Sequence, residues 1–150
     1  MKIFVFILFY IIFLYNDIKK KYISRNLLIL YFLLGILLNI LYYKSFSVDR
    51  LIDIIYSMLF GTVIIILSIV SSESIGKGDG IYFFINGLYI SFRENIILFM
   101  VGIITAFIIS MFISISLFIF KSSKSIYKKS MPFFPFLIPA IIMEAYLCIR

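Results

Sequence analysis

The chain has 150 residues, 64% of them hydrophobic and 14% charged, with 14 Lys and Arg against 7 Asp and Glu for a net charge of +7. A mean hydropathy of +1.18 lies far outside the range of soluble domains and points to an integral membrane protein. One cysteine and no histidine exclude an intramolecular disulfide, a cysteine-rich zinc site, histidine triads and imidazole metal sites, so no metal or cofactor is expected.

Apolar runs bounded by polar clusters predict six helices in one domain spanning 1–150: roughly 2–16, 26–43, 51–70, 79–92, 95–120 and 132–149. The expected fold is all-α, a polytopic membrane bundle of about six transmembrane helices. The first run carries one Lys and could be read as a signal peptide, but the sequence NDIKKK follows it where a small-residue cleavage site would stand. The fourth run is short and is expected to start or end in the interface. The fifth includes 25 residues, 96–120, without a charge. Pro132, Pro135 and Pro139 break the start of the sixth.

Lysine and arginine orient the bundle. Nine lie after the first, third and fifth runs (Lys19, Lys20, Lys21, Arg25, Lys77, Lys121, Lys124, Lys128 and Lys129), and five lie at the termini and in the other loops. The odd-numbered loops should therefore face the cytoplasm and both termini the outside. This bias accounts for most of the net charge through topology and contact with anionic lipid, and no nucleic-acid partner is needed.

The same polarity puts Asp17, at the end of the first run, and Asp79, at the start of the fourth, on the cytoplasmic side at similar depth. Asp79 sits in SIGKGDG, between Gly78 and Gly80 with Gly76 just before. Two carboxyls brought together at a membrane edge share one proton, so that one can activate water while the other donates a hydrogen bond to a carbonyl. Glycines without Cβ atoms at positions 76, 78 and 80 would let backbone approach a bound peptide or a neighbouring helix. Standing alone, such an aspartate is more often a solvated cap or interface anchor than a catalyst, and G-x-G-D is only a loop.

Three stretches, in order, resemble the type IV prepilin and preflagellin peptidases, the GxGD membrane aspartyl proteases. DIKKKYISRNLLILYFLLGILLN carries Asp17, Ile23, Gly35 and Asn39 at the family's positions. ESIGKGDGIYFFING matches with Glu73, Gly76, Gly78, Asp79 and Gly87, and MPFFPFL with Pro132, Phe133, Pro135, Phe136 and Leu137. Ser24 stands where the family usually has Pro, Phe134 where it has Gly, and Ile81–Tyr82 where a Lys commonly follows.

The resemblance implies that Asp17 and Asp79 are the catalytic pair. It further implies that the substrate is a prepilin-like, single-helix membrane protein, cut after Gly behind a basic leader at the cytoplasmic face. Glu73, Pro132, Phe133 and Pro135 become possible substrate-binding residues. With neither a cysteine pair nor the N-terminal extension of the long family members, methyl transfer is not expected. Two other classes stay open from the residues. A small ion-coupled transporter would use Asp53, Glu144 and Asp79 as a relay along the membrane depth. A non-catalytic pilus or secretion assembly factor would need neither aspartate.

Overall fold

The computed structural model describes residues 2–20, 23–41, 48–70, 76–119 and 133–149. They form α1 (Lys2–Lys20), α2 (Arg25–Leu41), α3 (Val48–Val70), α4 (Lys77–Asn86), α5 (Phe92–Ile119), a 3-10 turn (Phe134–Leu137) and α6 (Ile138–Ile149). No strand occurs among the described residues. The protein is all-helical.

Each outer helix buries one stripe. On α1 the buried residues are Phe6, Phe9, Tyr10, Phe13 and Asp17, spaced by three and four as one helical face requires. Leu28, Tyr31, Gly35, Leu38 and Asn39 do the same on α2, and Ile54, Ser57, Gly61, Ile64 and Ser68 on α3. Asp17 thus continues an aromatic stripe and is only 6% exposed.

Two helices are long and apolar enough to cross a membrane, Val48–Val70 and the Phe92–Ser116 part of α5. Only 28% and 17% of their most apolar windows are buried, so they are not the core helices of a soluble protein. Val63, Ile66, Phe107 and Phe112 are all more than half exposed, a surface suited to lipid.

The fourth predicted run divides in two. Helix α4 has 10 residues, about 15 Å of helix, and stops at Gly87. Residues 87–90 then form a buried turn. Buried backbone outside a helix needs partners, and α2 supplies them. The Asn39 side-chain amide donates to the Leu88 carbonyl at 2.9 Å, its oxygen accepts from the Lys2 ammonium at 2.6 Å, and the Tyr89 hydroxyl bonds the Tyr31 carbonyl. Helix α5 then opens on a capping box. The Ser91 N–H donates to Glu94 at 2.7 Å, and the Ser91 hydroxyl oxygen accepts the Glu94 N–H at 3.3 Å.

Helices α3 and α4 are in closest contact because three glycines remove the side chains that would separate them. A Cβ at Gly61 would lie 2.3 Å from the Phe84 Cα, one at Gly80 2.7 Å from Ile65 Cγ1, and one at Gly87 2.4 Å from Ser57 Cβ. In lipid, where apolar burial gains little, such close van der Waals packing is what holds helices together.

Candidate functional site

One end of the bundle gathers the C-terminus of α1, the start of α4 and the 3-10 turn. Asp17 comes from the first, Asp79 from the second. The negative charge of Asp17 adds to the upward shift of Asp79, which puts the two carboxyls named from the sequence at the same end of the bundle. Asp53 stands at the opposite end, on the first turns of α3, where Arg50 reaches the Leu88 carbonyl at 3.5 Å. Glu73 and Pro132 lie outside the described residues, as does the side chain of Glu144.

The geometry around Asp79 gives the glycines separate jobs. Gly76 is the N-cap of α4, and its carbonyl accepts the Asp79 N–H at 3.0 Å. The Asp79 carboxyl folds back over the same residue, bonding the Gly76 backbone, in the manner of the third residue of a capping box. A Cβ at Gly76 would come 2.8 Å from Asp79 Oδ2. That position is closed by the acid itself, not by a peptide or another helix. A Cβ at Gly78 would lie 3.0 Å from Ile23 Cδ1, and Gly80 faces α3.

Gly76→Ala is therefore expected to turn the Asp79 carboxyl away while leaving the helix intact, since Gly76 already has ordinary φ −63° and ψ 131°. The check is any reaction that needs Asp79 measured beside the helical circular-dichroism signal. The first should fall at least tenfold and the second should hold.

Asp79 lies outside both membrane-length helices. Burial pushes its carboxyl upward, the charge of Asp17 adds to this, and the Gly76 backbone bond opposes it, leaving it pushed up to about 7. Asp17 has a different environment. Its Oδ2 accepts the Phe134 N–H at 3.0 Å, a free donor at the start of the 3-10 turn.

Phe133 and Pro135 fall next to this contact. Phe133 packs edge-on to Phe83 at 6.3 Å, so its ring belongs to the α4–α5 packing, and Pro135 occupies the first turn of the 3-10 segment. This segment thus reaches Asp17 through the Phe134 N–H. Sequence reasoning also missed Tyr10, whose hydroxyl donates to the Phe134 carbonyl at 2.8 Å. Its signal was position: Tyr10 precedes Asp17 by two turns on one buried stripe.

Among the described residues no three His, Cys, Asp or Glu side chains gather where a metal ion would be held. The site is a pair of carboxyls in unlike surroundings, Asp17 accepting a backbone N–H and Asp79 at the start of α4 with its proton held more tightly than usual.

A family model for type IV leader peptidases matches residues 4–119. The chain belongs to the type IV leader peptidase family, a protease family acting on prepilin-like substrates. Neither curated proteins nor solved structures give a match.

Proposed function

We propose that the protein is a membrane aspartic endopeptidase that removes the basic leader of type IV prepilin-like proteins, cutting after Gly at the cytoplasmic face. The observation that supports this reading is the placement of Asp17 and Asp79 at one end of the bundle, where the Asp17 charge acts on Asp79 and the Phe134 N–H bonds Asp17. Asp17, hydrogen-bonded by the Phe134 N–H, takes a proton from a water held between the pair. Asp79, neutral below about pH 7, donates a hydrogen bond to the glycyl carbonyl and stabilises the oxyanion as the water adds. The proton then passes to the leaving amine, the C–N bond breaks, and the pair is reset. No covalent enzyme intermediate and no metal is needed.

In this reading the chain is multi-pass in the cytoplasmic membrane, with α4 enclosed by the other helices and both termini outside. The lysine bias supports that orientation. A substrate with a basic leader obeys the same rule, which brings its scissile bond to the level of the two aspartates.

The test is to incubate the purified protein with a peptide spanning a prepilin leader junction and follow cleavage against pH. The sign follows from Asp79: its neutral form is the working one, so activity should be full below its pKa and fall as pH rises through about 7. A rate that keeps rising from pH 6 to 9 contradicts the assignment.

A further inference from the structure

Tyr10 and Asp17 lie on the same face of α1, and both engage a single residue on a distant part of the chain. The Tyr10 hydroxyl donates to the Phe134 carbonyl at 2.8 Å, and the Phe134 N–H donates to Asp17 Oδ2 at 3.0 Å. The rings of Tyr10 and Phe134 stack as well, with centroids 6.1 Å apart at 28°. Helix α1 therefore grips Phe134 by its carbonyl, its ring and its N–H. On the other side, Thr105 Oγ1 lies 2.6 Å from the Phe136 carbonyl oxygen, and Leu137 packs on Gly102.

We propose that Tyr10 is a positioning residue for peptide cleavage: by anchoring the Phe134 carbonyl it aims the Phe134 N–H at Asp17 and so fixes the orientation of the Asp17 carboxyl. This rests on the peptidase reading for its catalytic consequence, though the clamp itself is a statement about geometry. The physical reason is that the 3-10 turn has few hydrogen bonds of its own. Its first N–H points at Asp17 only if something sets the orientation of that residue. Tyr10 does so from the same rigid helix that carries Asp17, so the two contacts move together. Phe134 is fully buried, and no solvent stands in for the hydroxyl when it is removed.

Tyr10→Phe keeps the ring and deletes the donor. Cleavage by this variant should show kcat lowered roughly tenfold, with KM close to wild type, as expected when a reacting group is misaimed and substrate binding is untouched. A second measurement needs no substrate. In protein carrying 15N-phenylalanine, the Phe134 amide is identified by its disappearance in Phe134→Leu. Tyr10→Phe should move that amide upfield and speed its hydrogen exchange at least tenfold. Asp17→Asn should move it the same way, and the Phe99 amide should stay put in both variants.

An unmoved Phe134 amide in Tyr10→Phe overturns the clamp whatever happens to the rate. A moved amide with unchanged kcat overturns the catalytic role. If wild-type protein cleaves no prepilin peptide, the peptidase reading fails, and the catalytic role falls with it while the amide still decides the clamp.

Discussion

Asp79→Asn should abolish cleavage of a prepilin junction, with a rate loss of about 10³-fold or more, while the protein folds and extracts as wild type. Asparagine keeps the shape of the side chain and can still accept the Gly76 backbone bond, so α4 retains its cap. What it cannot do is exchange a proton with its partner. The Asp79 carboxyl works because burial and the neighbouring Asp17 charge hold its proton near neutral pH. An amide is neutral at every pH, and the proton that completes the cycle is gone. A non-catalytic assembly factor predicts no change. The measurement is the single-turnover rate of the variant beside its thermal unfolding, and cleavage within tenfold of wild type is the contrary result.

The second large effect is on folding. Gly61→Ala should destabilise the bundle by about 3 kcal/mol or more, at or above the upper end of the usual cost of overpacking. The added Cβ would lie 2.3 Å from the Phe84 Cα and 2.4 Å from its N. These are backbone atoms of α4, so no side chain can swing aside and the two helices must separate. Separation also disturbs Gly80 against Ile65 and Gly87 against Ser57, which lie along the same seam. Thr62→Ala, one residue on and exposed, is the control. Thermal unfolding in detergent should show a large drop in Tm for the first and almost none for the second. Equal behaviour of the two variants would mean that this seam does not hold α4.

Helix positions were largely legible because an apolar run between charged clusters means much the same in sequence and in space. The exception is the fourth run. Hydropathy reads 79–92 as one segment, but Leu88, Tyr89 and Ile90 are apolar for another reason: they form a buried turn whose N–H groups bond the Ile85 and Asn86 carbonyls, whose Leu88 carbonyl takes the Asn39 amide, and whose Tyr89 ring stacks on Tyr31. Gly35, a position of the family resemblance, belongs to this packing too, since a Cβ there would meet Leu88 at 2.8 Å. Only the partners, remote in sequence, reveal the turn. Among the described residues two of six helices meet the length and hydropathy needed to cross on their own, because α1 carries charge at both ends and α2, α4 and α6 have only 17, 10 and 12 residues.

The candidate site was legible as a pair and not as a geometry. Alternating crossings brought Asp17 and Asp79 to one end, which topology alone can do. That Gly76 is closed by the carboxyl of Asp79 depends on how a capping side chain folds back. The reach of the proline-rich segment to Asp17, 117 residues away, depends on a backbone N–H that no side-chain pattern encodes. Phe134, a departure from the family's Gly, contributes that N–H as any residue would. Its ring fills space against Tyr10, Phe13 and Tyr82.

The most direct test of the central claim is the nearness of the two acids in the membrane. With Cys148 replaced by Ser, cysteines are placed at positions 17 and 79 in one protein and at 17 and 53 in another, and each is treated in native membranes with a short bifunctional maleimide. The account predicts rapid intramolecular crosslinking of the 17–79 pair and none of the 17–53 pair. Failure of the 17–79 pair to crosslink while both thiols still react singly would contradict it.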